Sequence, residues 1–271
     1  MAEGRLIPHH DEAIVLRTWP FHEADLLVSL FTRGRGKVKG VARHAMRSRR
    51  RFGGALEPAT QVMAHYTERP REDLVRMDSF EIVWSPLTAP VDALRAAGLA
   101  LVVEVVEEAM PELAAEDNVF RLAVAVLRGM QEGQRPESQR AREGPGSRAQ
   151  GPESQSVWVG VTYFCVWMCR LMGWWPELAV CAVCGLDLRG QEVWWSPVAD
   201  GVTCADDRRP QSRRVSAAAV AESYRMAKMS LEQFMAEVRQ GRELYRELGV
   251  FAVAVLERHL ERRLRSAAAL G

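Results

Sequence analysis

Residues 25–42 read DLLVSLFTRGRGKVKGVA, and their pattern decides the first part of the fold. Two apolar, β-rich runs, DLLVSLFT at 25–32 and KVKGVA at 37–42, flank a glycine-containing turn, which is typical of paired β-strands. Three further runs of this kind lie within the first 84 residues. Five short strands over about 70 residues predict a small closed barrel. The predicted strands cover 13–18, 25–32, 37–42, 60–66 and 74–84.

A different pattern begins after Ser85-Pro86. Long runs of Ala, Leu, Val, Glu and Arg replace the short β-rich runs, so we expect a barrel domain over 1–84 and a helical domain over 85–271. The predicted fold class is therefore α+β. Helices are predicted at 90–110, 117–130, 157–173, 216–239 and 242–266.

Two segments interrupt the helical pattern. Residues 131–156 contain no aliphatic or aromatic residue apart from two alanines, so burial cannot offset the entropy lost on ordering them. We predict that they form a mobile polar insertion. Residues 174–212 are rich in Gly, Pro, Trp and Cys, and they predict a compact Cys-rich module.

Composition narrows the classes of function. With 48% apolar and 26% charged residues the chain can bury a core, which excludes a disordered or fibrous protein. No stretch has the length and apolarity of a signal peptide core or a membrane span, so we expect a soluble cytoplasmic protein without a membrane partner. The 36 basic and 35 acidic residues nearly cancel, so the formal charge of +1 indicates no partner unless the charges are unevenly placed.

The basic residues are in fact concentrated in one stretch. Residues 33–51 hold nine of them and no acid, on segments expected to be solvated. A local positive field of this kind favours a DNA phosphate backbone, which Lys and Arg bind by releasing condensed counterions. An acidic protein tail and a merely solvated loop are the alternatives. The predicted DNA-binding residues are Arg33, Arg35, Lys37, Lys39, Arg43, Arg47, Arg49, Arg50 and Arg51.

Glycines and aromatic residues near this stretch refine the expectation. Gly34, Gly36 and Gly40 are expected to let the DNA backbone approach closely. Few aromatic residues are available to stack on bases, so we predict that backbone contacts dominate. The candidates for stacking are Phe31, Phe52 and Tyr66.

A second motif carries possible metal chemistry. Cys181-Ala-Val-Cys184 is followed after 19 residues by Cys204-Ala-Asp-Asp207, which is the spacing of a two-knuckle zinc site with Asp in the fourth position. Three thiolates and one carboxylate can bind a structural zinc ion, with Asp206 or a distant His as other candidates for the fourth ligand. The alternative is a metal-free module held by packing of Trp174, Trp175, Trp194 and Trp195.

No motif predicts catalysis. The acidic residues Glu104, Glu107 and Glu108 follow one another at helical spacing, which more often marks a solvated or ion-paired helix face than an active site. Nucleotide-binding loops, nucleophile elbows and metalloprotease helices are also missing from the sequence. We therefore expect a binding protein without catalytic residues.

Several of these stretches together carry a family resemblance. Glu12-Ala-Ile-Val-Leu16, Phe21-His-Glu23-Ala-Asp25 and Leu30-Phe31-Thr32, leading to the basic segment at Val41-Ala-Arg43, resemble the start of the RecO family of bacterial DNA repair proteins. The stretch from Gly173 to Gly185, with Asp200-Gly201-Val-Thr-Cys204 downstream, resembles the zinc module of that family.

The resemblance implies an N-terminal OB-fold, a helical body and a small zinc module. It also implies a recombination mediator that binds single- and double-stranded DNA, anneals complementary strands, joins RecR and helps to load RecA onto strands coated by single-strand-binding protein, whose C-terminal tail is a further partner. Such a protein would be cytoplasmic and associated with the nucleoid. Two features depart from the family pattern: Asp207 replaces the usual fourth Cys, and the insertion at 131–156 is longer than expected.

Overall fold

The computed structural model describes residues 6–48, 50–69, 72–88, 90–132 and 152–270. The chain divides into two compact units, residues 1–128 with 268–271 and residues 129–267. Within the described ranges, no helix combines the length and apolarity needed to cross a membrane.

The first unit contains a closed five-stranded barrel. Its strands are β1 (Ile7–Phe21), β2 (Asp25–Thr32), β3 (Gly36–Ala42), β4 (Gln61–Glu68) and β5 (Val75–Trp84). They pair in the order β1-β2-β3-β5-β4, and all neighbours are antiparallel except β3 and β5, which run parallel. This arrangement is an OB-fold and confirms the predicted barrel.

Alternation of apolar residues along the strands gives the sheet an apolar face that the closed barrel buries. Side chains at every second position point inward, and a bulge between Val15 and Arg17 shifts the pairing of β1 with β2. The inward positions form one buried cluster of mainly small and β-branched residues. Its members on the strands are Ala13, Val15, Val28, Leu30, Val38, Ala42, Val62, Ala64, Tyr66, Met77 and Phe80.

Two helices follow the barrel, α1 (Ala93–Ala109) and α2 (Asp117–Glu132). Helix α1 begins after Asp92, whose carboxylate accepts a hydrogen bond from the Arg95 backbone N–H at 2.8 Å. The segment after α1 joins the barrel edge, because the Leu113 N–H donates to the Lys37 carbonyl oxygen at 3.0 Å. This contact brings the end of α1 against β3.

Among its described residues, the second unit contains four further helices: α3 (Pro152–Leu171), α4 (Ala217–Met226), α5 (Leu231–Ala236) and α6 (Arg242–Leu260). The prediction of one continuous helix over 216–239 is wrong. Ser230 interrupts it, because the Ser230 hydroxyl accepts the Gln233 N–H while the Gln233 side chain accepts the Ser230 N–H, and this capping box starts α5.

Two other helices end or begin at residues that differ from the prediction. Helix α6 ends at Leu260 rather than 266, because Glu261 adopts a left-handed conformation with a φ of 54°. Helix α3 starts at Pro152, so residues 152–156 of the predicted insertion are helical. Residues 133–151, the rest of that insertion, lie outside the described residues.

A small antiparallel sheet accompanies these helices. Its strands β6 (Val193–Trp195), β7 (Val202–Thr203) and β8 (Arg213–Val215) pair in the order β7-β6-β8. Tryptophans attach this region to α6: the rings of Trp175 and Trp195 both lie edge-on to Phe251, with centroids 5.3 and 5.6 Å away. The Cys-rich segment is thereby fixed to the helices.

Candidate nucleic-acid interface and metal centre

The basic stretch spans a turn, a strand and a loop of the barrel. Arg33 and Arg35 lie in the turn between β2 and β3, Lys37 and Lys39 lie on β3, and the remaining members follow β3. One of those, Arg49, lies outside the described residues. The environments of the other eight differ sharply.

The two turn arginines are paired with carboxylates of the same unit. Arg33 Nε donates to Asp117 Oδ1 at 2.6 Å, and Arg33 Nη1 donates to Glu12 Oε2 at 3.3 Å. The hydrogen bond to Asp117 is the main cause of a raised pKa of Arg33, and the one to Glu12 adds to it. Arg35 Nη1 donates to Glu68 Oε2 at 2.7 Å, and this hydrogen bond lowers the pKa of Glu68. Their positive charge is therefore largely balanced within the protein.

The two lysines of β3 face the end of α1. Lys37 is only 9% exposed, and its Nζ donates to the Glu107 carbonyl oxygen at 2.6 Å. Lys39 Nζ donates to Glu112 Oε1 at 2.6 Å, which raises the pKa of Lys39 and lowers that of Glu112. Alternation along the strand predicts that these lysines are solvated, but both contact the end of α1 instead. They are therefore weaker candidates for DNA contacts than the sequence alone indicates.

The loop after β3 keeps its positive charge. Arg43, Arg47 and Arg50 are exposed, and among the described residues no carboxylate forms an ion pair with them. We call residues 43–51 the arginine loop. Arg51 organises it from within, because its guanidinium donates to Ser48 Oγ at 3.1 Å and to the Arg43 carbonyl oxygen at 2.5 Å.

The glycines of the basic stretch are required by packing within the first unit, and close approach of a DNA backbone to them stays a prediction. A Cβ on Gly36 would lie 2.0 Å from the Ala114 carbonyl oxygen, and one on Gly40 would lie 2.4 Å from the Val75 carbonyl oxygen. Gly40 is required because β5 passes close to β3 where the barrel closes. A Cβ on Gly34 would meet the Asp11 carboxylate.

The aromatic residues suggested for base stacking are also unavailable. Phe31, Phe52 and Tyr66 are 0%, 2% and 1% exposed. Tyr66 Oη donates to Asp11 Oδ2 at 2.9 Å, and burial, with this hydrogen bond, raises the Tyr66 pKa. All three rings stabilise the unit. Trp19 and Phe21 of β1, which sequence reasoning did not consider, are half-buried rather than buried.

The four predicted metal ligands converge in the second unit. The Sγ atoms of Cys181, Cys184 and Cys204 and a carboxylate oxygen of Asp207 all lie within 4.8 Å of one another. Cys181 and Cys204 are buried, Asp207 is half-buried and Cys184 is exposed. The cluster could hold a metal ion. Neither Asp206 nor a His belongs to it.

Three of the six distances between these atoms are close to those of tetrahedral coordination. Asp207 Oδ2 lies 3.3 Å from Cys181 Sγ and 3.2 Å from Cys204 Sγ, and the Sγ atoms of Cys184 and Cys204 are 3.9 Å apart. Zinc bonds of about 2.3 Å to sulfur and 2.0 Å to oxygen imply edges of about 3.8 Å and 3.5 Å in a tetrahedron. A carboxylate at position 207 therefore fits as the fourth ligand.

Hydrogen bonds within the cluster keep Asp207 ionised and the thiol of Cys184 protonated. The Asp207 carboxylate accepts from the thiols of Cys184, Cys204 and Cys181, which lowers the pKa of Asp207. The same carboxylate raises the pKa of Cys184 to about 12. Asp207 thus accepts the thiol protons of the cluster, and a metal ion bound there would displace those protons.

The remaining two cysteines play no part in this cluster. Cys165 and Cys169 are buried in α3, and burial raises the pKa of Cys165 to about 12. Cys169 Sγ lies 3.7 Å from the Ala252 carbonyl oxygen. Both residues therefore act as core side chains.

The geometry defines an OB-fold protein with a helical unit that carries a Cys3Asp cluster. Residues 6–86 match the family profile described as Recombination protein O N terminal, and residues 151–268 match Recombination protein O C terminal. The chain belongs to the RecO family of DNA repair and recombination proteins.

Individual relatives match between 77% and 93% of this chain. The chain is 43% identical over 253 residues to the DNA repair protein RecO of Koribacter versatilis (strain Ellin345), covering 93% of this chain and 94% of the relative. It is 33% identical over 259 residues to the DNA repair protein RecO of Anaeromyxobacter sp. (strain K), covering 93% and 91%. The RecO of Bifidobacterium adolescentis is 30% identical over 215 residues, 77% of each chain.

Proposed function

We propose that the protein is a recombination mediator that binds single- and double-stranded DNA through the arginine loop. The observation that carries the proposal is the exposure of Arg43, Arg47 and Arg50 without paired carboxylates among the described residues. A guanidinium that is not neutralised internally is available to a phosphate, and each such contact releases condensed counterions. Arg33, Arg35, Lys37 and Lys39 remain weaker candidates because acids and carbonyl groups already engage them.

Strand annealing would follow from the same contacts without any bond chemistry. Neutralising several phosphates on each of two strands lowers their mutual repulsion, so complementary bases can pair faster. The protein would therefore act without catalytic residues. In this proposal it works in the cytoplasm on nucleoid DNA, joins RecR, contacts the C-terminal tail of single-strand-binding protein and helps to load RecA.

Charge reversal tests the assigned interface. The triple variant R43E/R47E/R50E leaves Arg51, which holds the loop together, in place. We expect its affinity to fall equally for all DNA sequences and its salt dependence to become flatter, because phosphate contacts carry no sequence information. Fluorescence anisotropy with labelled oligonucleotides measures both effects. An annealing assay with the same variant should show slower pairing of complementary strands.

A matched control separates local charge from total charge. Arg121, Arg189 and Arg239 are also exposed, and R121E/R189E/R239E changes the net charge of the protein by the same amount. DNA affinity should survive in this control. If the two triple variants lose affinity equally, the arginine loop is not the interface. If the unsubstituted protein binds acidic peptides but no DNA at low salt, the alternative of an acidic-tail binding module is correct.

We also propose that the Cys3Asp cluster binds a structural zinc ion. Cys181, Cys184, Cys204 and Asp207 would hold it, and the match between their spacing and a tetrahedral site supports this assignment. Zinc there would crosslink the knuckle at 181–184 to the segment at 204–207. Four protein ligands leave no open position for a substrate, so its contribution would be to stability.

A further inference from the structure

We propose that Trp19 and Phe21 form a stacking platform for the bases of single-stranded DNA beside the arginine loop. The inference rests on the proposed DNA-binding function and extends it, because it identifies the surface that distinguishes single strands from duplex. Trp19 and Phe21 are half-buried, in contrast to the fully buried Phe31, Phe52 and Tyr66.

Strand register places these rings on the outer face of the barrel. Beyond the bulge in β1, Thr18 pairs with Val28, which belongs to the barrel core, so the positions on either side point outward. Arg17, Trp19 and Phe21 alternate along the strand and therefore share this outer face. They form one row of a basic and two aromatic residues.

The contacts of the row suit a site for bases. The guanidinium of exposed Arg17 lies 4.9 Å from the centroid of the Trp19 ring, which is a cation–π arrangement. A base that stacks on Trp19 would displace this guanidinium and leave it free to meet a phosphate. At the end of the row, the ring of Phe21 lies edge-on to exposed His22, with centroids 4.3 Å apart.

The residues that follow the platform in the chain, Ala24 and Asp25, contact the arginine loop directly. Phe21 pairs with Asp25, and the Asp25 carboxylate accepts the His44 N–H at 2.7 Å. The Met46 N–H also donates to the Ala24 carbonyl oxygen at 3.2 Å. Because β2 alone separates Phe21 from the start of the loop, the two are roughly 10 Å apart, twice the usual spacing of strands.

This combination selects single strands. OB-folds bind oligonucleotides on the face of strands 2 and 3 and at the loop between strands 1 and 2. In this protein Lys37 and Lys39 of β3 contact the end of α1, whereas Phe21 ends β1 directly beside the β1–β2 loop. Aromatic side chains there can stack on unpaired bases, whereas the bases of a duplex are already stacked on one another. Phosphates of either form of DNA can reach the arginine loop, so only single strands gain from the platform.

The experiment compares three ligands with equal numbers of phosphates: a labelled oligothymidylate, a duplex and a strand of abasic sugar-phosphate. In the unsubstituted protein, oligothymidylate should bind more tightly than the abasic strand. The double variant W19L/F21L should bind oligothymidylate about 5- to 100-fold more weakly, while its duplex affinity and salt slope stay unchanged. W19F retains an aromatic ring and should keep most of the single-strand affinity.

The outcomes separate the platform from the proposed function. Equal weakening on oligothymidylate and duplex, or no weakening on either, would overturn the platform while DNA binding stands. Absence of DNA binding in the unsubstituted protein would overturn both. Because the oligothymidylate and abasic comparison needs no substitution, equal affinity of the unsubstituted protein for these two strands refutes the platform even if W19L/F21L fails to fold.

Discussion

At the scale of single residues, Asp207 is the side chain that distinguishes the Cys3Asp cluster from an all-cysteine site. Its carboxylate lies within 3.3 Å of two thiols, where a fourth Cys would complete an all-sulfur site. Oxygen is a harder ligand than sulfur, so it binds zinc less strongly at this position. The arrangement therefore favours a site that holds zinc with reduced affinity.

Substitution at position 207 tests this interpretation. D207C should tighten zinc binding because it restores four soft ligands, whereas C184S should release zinc and loosen the knuckle. Competition with a chromogenic chelator measures the relative affinities, and elemental analysis gives the zinc content. The arginine loop belongs to the other unit, so DNA affinity serves as the control and should persist in both variants.

The outcome that would contradict zinc binding is a module without metal. Fewer than about 0.1 zinc ions per chain, with no uptake during titration, would mean that packing alone maintains the module. The tryptophans offer such packing: Trp174 stacks on His259 with centroids 5.3 Å apart, and Trp195 packs on Phe251.

At the scale of secondary-structure elements, a buried ionic group joins α4 to α6. Glu222 is 5% exposed, and it accepts hydrogen bonds from Arg225 at 2.8 and 3.0 Å and from Tyr245 Oη at 2.8 Å. Burial alone would raise the pKa of Glu222, but the hydrogen bonds from Arg225 and Tyr245 outweigh it and lower the pKa. Burial and Glu222 together raise the Tyr245 pKa to about 12.

The lowered pKa of Glu222 predicts the direction of a pH effect. A carboxyl group whose pKa is lower in the folded protein stabilises it above the unfolded pKa, and the stabilisation is lost as the pH falls through the folded pKa. E222Q should therefore lower the free energy of unfolding by about 2 to 3 kcal/mol at pH 7. The difference from the unsubstituted protein should shrink below about pH 4.

Urea unfolding across the pH range, followed by circular dichroism, measures this difference. E232Q is the matched control, because Glu232 is exposed in the first turn of α5 and should contribute little at any pH. A loss in E222Q that stays constant down to pH 3 would show that shape rather than charge makes Glu222 important.

The strands of the barrel are easier to predict from the sequence than the boundaries of the helices. The barrel strands are predictable because residues such as Val28 and Leu30 alternate with outward positions, and the alternation is local. The break between α4 and α5 is harder to see, since the helical pattern continues across Ser230 and only the Ser-x-x-Gln cap marks it.

The site is predictable only where its partners are local. The Cys181 to Asp207 spacing predicts the cluster because two short knuckles supply all four ligands. The basic stretch misleads because its neutralising acids are remote: Asp117 lies 84 residues from Arg33, and Glu112 lies 73 residues from Lys39. Charge density along the chain cannot reveal such pairs.

At the scale of the whole molecule, the formal charge of +1 means that any attraction to DNA is local. Acids of the first unit pair with Arg33, Arg35 and Lys39, and they leave the arginine loop as a separate positive surface. A protein of this kind should bind DNA through few phosphate contacts, in contrast to a uniformly basic one.

Salt dependence therefore gives the number of those contacts. If the arginine loop and its neighbours engage about four phosphates, raising the salt concentration from about 50 to 200 mM should weaken duplex binding about 150-fold and single-strand binding about 50-fold. The single-strand response is shallower because a single strand condenses fewer counterions per phosphate. Anisotropy titrations at several salt concentrations measure both slopes. Slopes that indicate eight or more phosphates would contradict an interface limited to the arginine loop, because the remaining basic residues of the stretch would then have to exchange their carboxylate partners for DNA.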